Sequence, residues 1–475
     1  MRSGCCVTGE LRKGRKTCAN SSGASLHAQP EPCEYDVSRL VTIHLLHRSL
    51  AHGRGAPVYD PPVDFNDTPE LADFRAAARR WLTNNVAPRT VNAGLRFFAE
   101  HPDEEAWLAK ARADQALLFD GGWAGISWPT RYGGRELGPV HQIVFNEEAA
   151  GFDLDTDAFS IGIGMGGPTV MAWASEAQKE AWLPAMLRGD EIWCQLFSEP
   201  GAGSDVAGLT TRAVRDGDEW VINGQKVWTS GAHYSKWGML LARTDPTVTK
   251  HQGLSYFVID MDQPGVESRP LRQMTGGSNF NEVFFTDARV PHAATLGGEG
   301  MGWSVAMTTL MNERMSIGAL GSLNRGSVFS ALEQLFEEVA AMTGRRPTDD
   351  PVFADEWTAT FIDAEVLRYT AQRMVSRLVR GEIPSAEGSA AKIALSRLAE
   401  RLCNLAMAGQ GAHGLLGQRS APSDGDWALA FLGFPGLKVA GGTDEVMKNI
   451  IGERLLGLPR EPRVDTTLPF ADLPG

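Results

Sequence analysis

Glu191-Ile192-Trp193-Cys194-Gln195-Leu196-Phe197 runs directly into Ser198-Glu199-Pro200-Gly201-Ala202-Gly203-Ser204-Asp205. The first seven residues are aromatic, apolar and β-branched and lack helical spacing. The next eight are turn chemistry, with two glycines, a proline and hydroxyls at Ser198 and Ser204. The reading is a strand that delivers a turn. Successive exposed N–H groups in such a turn bind anionic or carbonyl-rich ligands, and its glycines let a ligand approach the backbone. The plainer reading is a tight β-turn and nothing more.

Working outward, the same short, β-rich character persists. Thr211–Arg215, Glu219–Ile222, Lys226–Trp228, Met239–Arg243, Leu254–Asp260 and Glu282–Phe285 read as strands. Asp216-Gly217-Asp218, Asn223-Gly224 and Pro264-Gly265 separate them as turns. This predicts a central antiparallel β domain over 191–297. Upstream, Thr68-Pro69-Glu70 is a helix start, and Leu71, Phe74, Ala78, Trp81 and Leu82 follow at helical spacing. Further helical patterns near 104–119, 139–150 and 168–187 complete an N-terminal helical domain over 63–190. After Gly300 helices return near 301–342, 355–380, 385–417 and 444–457, a C-terminal four-helix-bundle-like domain over 298–459. A Pro-rich tail, 460–475, reads as loose. Helices, then strands, then helices make an α+β fold rather than a βαβ alternation.

Composition narrows the function. Of 475 residues, 43% are hydrophobic and 22% charged, with 45 Lys+Arg against 58 Asp+Glu and a formal charge of −13. No basic stripe appears, which argues against nucleic acid, and no run of 18 apolar residues spans a membrane. Residues 1–62 are a different material, with eight basic side chains against five acidic ones and four of the six cysteines, Cys5, Cys6, Cys18 and Cys33. They read as a disordered leader or a misassigned start, with the natural chain opening near Val63. A transit peptide is the other reading, opposed by Glu10, Glu31, Glu34 and Asp36. The body keeps only Cys194 and Cys403, so it has no disulfide framework and fits a reducing compartment. The histidines His101, His141, His233, His251, His292 and His413 are scattered and form no metal-ligand cluster.

Two more motifs invite chemistry. Gly162-Ile163-Gly164-Met165-Gly166-Gly167 matches a dinucleotide-binding turn, but the preceding Asp153–Ser160 is short and charged rather than a buried strand. It reads instead as a close-packed connection between helices. Gln225-Lys226-Val227-Trp228-Thr229-Ser230-Gly231-Ala232 follows the Asn223-Gly224 hairpin turn and offers a flat indole wall beside hydroxyls. The alternative is a core tryptophan.

Together with Ser198–Asp205, this segment resembles the acyl-CoA dehydrogenase family. Asn281-Glu282-Val283-Phe284-Phe285 with Val290-Pro291, Leu310 to Arg314, and Ala440-Gly441-Gly442-Thr443-Asp444-Glu445 through Leu456-Gly457-Leu458-Pro459-Arg460 extend the resemblance over about 64–460. It implies α,β-dehydrogenation of an acyl-CoA thioester, with FAD as cofactor and an electron-transfer flavoprotein as acceptor. The family's commoner base precedes the Gly-Thr of the C-terminal signature, where this chain has Gly441. The alternative position of isovaleryl- and long-chain-type members is a Glu before an Arg on the first helix after the β domain, here Glu313-Arg314. Glu313 is therefore the expected base, and its apolar neighbours would desolvate it and raise its pKa.

The resemblance carries further roles, residue by residue. The flavin would be contacted by Gln195, Leu196, Phe197, Ser198, Gly203, Ser204, Trp228, Thr229 and Ser230, and by Thr443 and Glu445 of the signature. Ser204, Arg314 and the main-chain N–H of Gly441 would meet the acyl-CoA, Gly441 at the thioester oxygen. The family's Arg-x-x-Phe-Gly contact to a neighbouring subunit's flavin is replaced by Met342-Thr343-Gly344-Arg345-Arg346, and the later Gln with paired glycines is altered to Ala406-Met407-Ala408-Gly409-Gln410-Gly411. A homo- or hetero-oligomer is implied, with Arg345 or Arg346 or a partner making that contact. The competing functions are a non-catalytic subunit of a hetero-oligomer and a related flavin oxidase or monooxygenase. The location implied is the bacterial cytoplasm, or the mitochondrial matrix if 1–62 is a transit peptide.

Overall fold

Thr68 begins the described chain's first helix as its sequence predicts. Its hydroxyl accepts the Leu71 amide at 3.3 Å, and Pro69 occupies the first helical position. The computed structural model describes residues 67–89, 103–320, 325–379, 387–417, 420–460, 462, 465 and 467–473. The readings made for residues 1–62 lie outside them.

The N-terminal helices are α1 (Pro69–Asn85), α2 (Glu104–Asp120), α3 (Pro139–Ala149), α4 (Gly167–Trp173) and α5 (Glu176–Arg188). The helix expected over 168–187 is two helices. Ser175 ends the first pattern because its side chain and that of Gln178 form a reciprocal cap that starts α5 afresh. The glycine run Gly162–Gly166 forms one π-helical turn leading into α4. It is the close-packed connection expected. A Cβ on Gly164 would lie 3.0 Å from the Ser316 hydroxyl, and one on Gly167 would fall 2.2 Å from the Trp128 ring.

The strands are β1 (Trp193–Leu196), β2 (Arg212–Asp216), β3 (Glu219–Ser230), β4 (Trp237–Arg243), β5 (Leu254–Asp260), β6 (Val266–Leu271), β7 (Phe280–Pro291) and β8 (Thr295–Leu296). They form one sheet ordered β6-β7-β3-β2-β4-β5-β8, with β1 added to β4. The sheet is mainly antiparallel, as expected, but β1 runs parallel to β4. Asn223-Gly224 proves not to be a hairpin turn. β3 continues through it with a register shift against β7, and Gly224 is needed because a Cβ there would lie 2.4 Å from Thr211 Oγ1. Along β5, Tyr256 and Val258 face the N-terminal helices while Phe257 and Ile259 face Trp220, Leu240 and Val283 on the sheet's other side. Both faces are covered, so β5 is apolar on both sides from Tyr256 to Ile259.

The C-terminal part contains α6 (Gly302–Leu320), α7 (Arg325–Thr343), α8 (Pro351–Val379), α9 (Glu387–Gln410), α10 (Asp426–Gly433), α11 (Pro435–Val439) and α12 (Asp444–Ile450). Leu332, Leu335 and Phe336 of α7 meet Leu367 of α8 and Leu402 of α9 in a bundle core. The tail read as loose is docked in its described residues. Thr249 and Pro469 form an antiparallel bridge, and the amides of Phe470 and Ala471 donate to Val248 and Pro246 carbonyls at 2.8 and 3.0 Å. Among the described residues no helix is long and apolar enough to cross a membrane.

Candidate active site

Helix α6 carries Glu313, and its first half is fixed against the sheet by buried hydroxyls. Thr309 Oγ1 lies 3.0 Å from Thr169 Oγ1 and 3.1 Å from the Tyr256 hydroxyl, while the Trp173 indole donates to Thr308 at 2.9 Å. Gly302 meets the Ser255 backbone so closely that a Cβ would fall 2.6 Å from it. One turn beyond Thr309, the Glu313 carboxylate faces the end of β1, where the Gln195 amide donates to Oε2 at 3.5 Å. Dense surroundings push the Glu313 pKa up, against the opposing pull of the Gln195 amide and the Arg314 charge. Arg314 beside it is half-buried, its pKa lowered by burial, and its Nε is buried without a hydrogen-bond partner.

The turn after β1 is stitched into the sheet from below. Glu199 and Ala202 exchange two backbone hydrogen bonds of 3.0 Å, and the Val227 amide donates to the Ser198 carbonyl at 2.9 Å. The buried Glu199 carboxylate accepts from the Thr210 amide and hydroxyl at 2.7 and 2.8 Å, the Thr211 amide at 2.9 Å and Lys226 Nζ at 2.8 Å. Burial alone would raise the Glu199 pKa, but the Lys226 charge and these donors outweigh it and hold it at about 2. Burial outweighs the Glu199 attraction for Lys226 and lowers it to about 8. Lys226 also donates to the Phe197 carbonyl at 3.0 Å. Above this platform Gly201, Gly203 and Ser204 are exposed, and a Cβ on either glycine would meet nothing within 4 Å. The glycines are therefore not demanded by packing within the chain.

β3 loses register with β7 again between Lys226 and Thr229, and the bulge turns Trp228 outward. Trp228 has φ 61°, a left-handed conformation for a non-glycine residue, and its side chain is 61% exposed. The Phe280 ring meets it edge-on at 5.9 Å. Next to it, Thr229 is buried and its hydroxyl has no partner, while the Asn281 side chain donates to its carbonyl at 3.0 Å. Ser230 pairs with Phe280 across the ladder. Trp228 is thus a large exposed aromatic held in a strained backbone, beside an orphaned buried hydroxyl.

The C-terminal signature forms a second glycine turn. Gly441 and Gly442 have φ 68° and 89°, and Thr443 caps α12 by accepting the Val446 amide at 3.2 Å. Asp444 is buried and accepts from Lys392 Nζ at 2.9 Å and from the Ser396 hydroxyl at 2.9 Å. Glu445 is exposed and pairs with Lys448 at 3.5 Å. α9 packs against both α6 and α12, and so links this turn to the helix of Glu313. Arg345 and Arg346 pair within the chain, with Asp350 at 4.0 Å and Glu337 at 3.2 Å. Gln410 is buried and bonds back to the Ala406 carbonyl at 3.1 Å.

Sequence reasoning quoted Glu199, Lys226 and Asp444 within motifs but gave them no role, and it passed over Lys392. A signal existed at Lys226, an ammonium in an otherwise apolar strand segment. Cys194 and Cys403 are buried with thiol pKa values pushed up to about 12 by burial, so neither is a poised nucleophile. Among the described residues no group of three or more His, Cys, Asp or Glu could hold a metal ion.

Known proteins share this architecture. The N-terminal, middle and C-terminal domains of acyl-CoA dehydrogenases match residues 68–190, 194–288 and 300–456. The acyl-CoA dehydrogenase IpdE1 of Mycobacterium tuberculosis is 37% identical over 398 residues, 83% of this chain and 99% of that protein. Among solved structures, the ChsE4-ChsE5 complex from Mycobacterium tuberculosis superposes with a TM-score of 0.69 at 30% identity, covering 84% of this chain and 100% of the other. The Tcur3481-Tcur3483 steroid ACAD does so with a TM-score of 0.69 at 28% identity and the same coverage.

Proposed function

The chain belongs to the acyl-CoA dehydrogenase family, and from that membership we propose FAD-dependent α,β-dehydrogenation of an acyl-CoA thioester to the trans-2-enoyl-CoA, with Glu313 as the base. The contact between Gln195 and Glu313 carries the reading. It puts a carboxylate of raised pKa on α6, against the strand that feeds the Ser198–Asp205 turn.

Each residue has a physical task. Glu313 takes the α-proton on a carboxylate oxygen, and its desolvation increases its proton affinity toward a weakly acidic C–H. Gln195 orients that carboxylate through Oε2. The amide of Gly441, in a turn of positive φ, is a donor for the thioester oxygen as charge develops there. The flavin fits three features: the orphaned Thr229 hydroxyl, the exposed Trp228 face and the open Gly201–Ser204 turn. Leu196, Phe197, Ser198, Ser230, Thr443 and Glu445 complete the proposed flavin contacts, and Arg314 and Ser204 those to acyl-CoA. When bound, FAD supplies the acceptor for the β-hydride, and an electron-transfer flavoprotein then accepts the electrons. A base on α6 and the likeness to a steroid ACAD favour bulky acyl groups.

Anaerobic titration with short, branched, long and steroid-derived acyl-CoAs tests this reading. A matching substrate bleaches the flavin absorbance. Glu313→Gln should keep the yellow colour and lose about 10³-fold or more in turnover, within the range for removing a general base; a variant retaining a tenth of wild-type turnover would refute the assignment. A second reading is a non-catalytic subunit of a hetero-oligomer. Arg345 and Arg346, both engaged within the chain, favour it. Protein that purifies colourless alone and gains flavin only with a partner chain would establish it.

A further inference from the structure

We propose that the C-terminal segment around Phe470 clamps the turn that follows Ser204, through two buried cations, and so positions that turn for ligand. The cations are Arg243, at the end of β4, and Lys250, in the connection to β5. Arg243 spends its edge on carbonyls. Nε donates to Leu209 at 3.2 Å, Nη2 to Ala207 at 2.6 Å and Nη1 to Lys250 at 3.1 Å. Two of those carbonyls lie just beyond Asp205, in the short helical turn Val206–Gly208 and its exit. A guanidinium bonded along its edge still has bare faces. The Phe470 ring lies over one of them, 3.4 Å from guanidinium carbon to ring centroid.

Lys250 adds a second tie to the same turn. Its Nζ donates to Asp205 Oδ2 at 2.7 Å and also pairs with Asp465 from the C-terminal segment. The Phe470 and Ala471 amides, bonded to Val248 and Pro246, fix the segment in register with this connection. The segment thus excludes water from Arg243 and shares Lys250 with the turn. Hydrogen bonds from a cation to carbonyls strengthen as water is excluded, so the ring tightens bonds it does not itself make. Asp205 is mostly exposed, and the backbone bonds holding its turn are short-range, Gly208 to Asp205 at 2.9 Å and Leu209 to Val206 at 3.1 Å. Ala207 and Leu209 are buried in the core, and Arg243 and Lys250 supply the long-range hydrogen bonds to the turn.

The functional half of this inference rests on Ser204 meeting acyl-CoA, as proposed above. The test uses the full chain with Phe470→Ala, Phe470→Tyr and Asp465→Asn, read by amide hydrogen exchange of peptides covering 198–211 and by steady-state kinetics. In Phe470→Ala those amides should exchange about tenfold faster as the local opening free energy falls. KM for acyl-CoA should rise about fivefold with kcat within about twofold, a loss of ground-state positioning. Phe470→Tyr should restore both, and Asp465→Asn should move both in the same direction but less. Unchanged exchange in Phe470→Ala and Asp465→Asn would overturn the clamp. Faster exchange with unchanged KM would overturn its role in ligand positioning. If the wild-type chain turns over none of the acyl-CoAs, the catalytic reading fails, while the exchange arm still decides the clamp. Should Phe470→Ala not fold, Asp465→Asn carries the same two readouts.

Discussion

Two glycine-bearing turns flank the proposed chemistry, and each rests on a buried carboxylate paired with a buried lysine from another element. Under Ser198–Asp205 the pair is Glu199 with Lys226 of β3; under Ala440–Glu445 it is Asp444 with Lys392 of α9. The difference lies in the remaining donors. Glu199 accepts two backbone amides and a hydroxyl besides the ammonium, so the ladder itself holds it. Among the described residues Asp444 accepts from side chains alone, Lys392 and Ser396, which reach it across a helix packing. The first turn is as rigid as the sheet; the second is as rigid as the contact of α12 with α9. A proposed flavin surface built on strands and a proposed oxyanion donor built on a helix junction should therefore fail differently.

The largest effect should come from breaking the first pair. Glu199→Gln leaves Lys226 buried without its counter-charge, which costs about 3–5 kcal/mol in comparable cases. Denaturant melts with flavin absorbance followed in parallel would measure it, and a loss under 1 kcal/mol would show the pair to be dispensable. The pair also sets an acid limb. The Glu199 carboxyl titrates at about 2 when folded, below its ordinary 4.5, so its contribution is present above pH 4.5 and is lost as pH falls toward 2. That window is worth about 3 kcal/mol at 1.36 kcal/mol per pH unit. Wild-type stability should fall across it, and the Glu199→Gln profile should lack that component.

Lys392→Met probes the second pair. Ser396 still donates to Asp444, but two ammonium bonds are lost, to Asp444 at 2.9 Å and to the Lys438 carbonyl at 3.2 Å, so about 3 kcal/mol is expected. The two variants should also separate in kinetics. Lys392→Met should lower kcat with the flavin retained, because the Gly441 amide loses its register. Glu199→Gln should lose flavin first. Identical flavin loss in both would erase the distinction between the turns.

How much of this was legible follows the same division. The α1 cap, the β5 run and the glycine turns were readable because each is decided by residues adjacent in sequence. The continuity of β3 through Asn223-Gly224 was not, since its partner β7 lies some sixty residues on and a strand that bulges looks locally like a hairpin. β6 was missed because Glu267, Ser268, Arg269 and Pro270 carry no apolar alternation. The split at Ser175 was readable in principle from Ser175 and Gln178, a capping box. At the site, the roles proposed for Glu313 and the two glycine turns come from resemblance, whereas Glu199, Lys392 and Arg243 act beneath the surface. Their roles follow from which carbonyl or carboxylate the fold brings to them, and no spacing encodes that. Phe470 is the extreme case, a tail aromatic whose partner is the bare face of an arginine some 230 residues earlier.

The smallest expected stability effect is at Trp228, and it isolates the proposed ligand surface from the supports below it. Its left-handed backbone costs about 1 kcal/mol for a residue with a Cβ. Trp228→Gly relieves that strain but adds unfolded-state entropy of about the same size, and the ring it removes is largely exposed. Global stability should change by less than about 1 kcal/mol, with the Lys226 and Glu199 bonds beneath left intact. If Trp228 is held strained in order to present its ring, flavin should nevertheless dissociate more readily from the variant. Melts would then match wild type while dialysed protein loses colour. A variant that destabilises by 3 kcal/mol would mean that Trp228 belongs to the support after all, and that the strained bulge is part of the sheet's packing rather than a surface offered to a ligand.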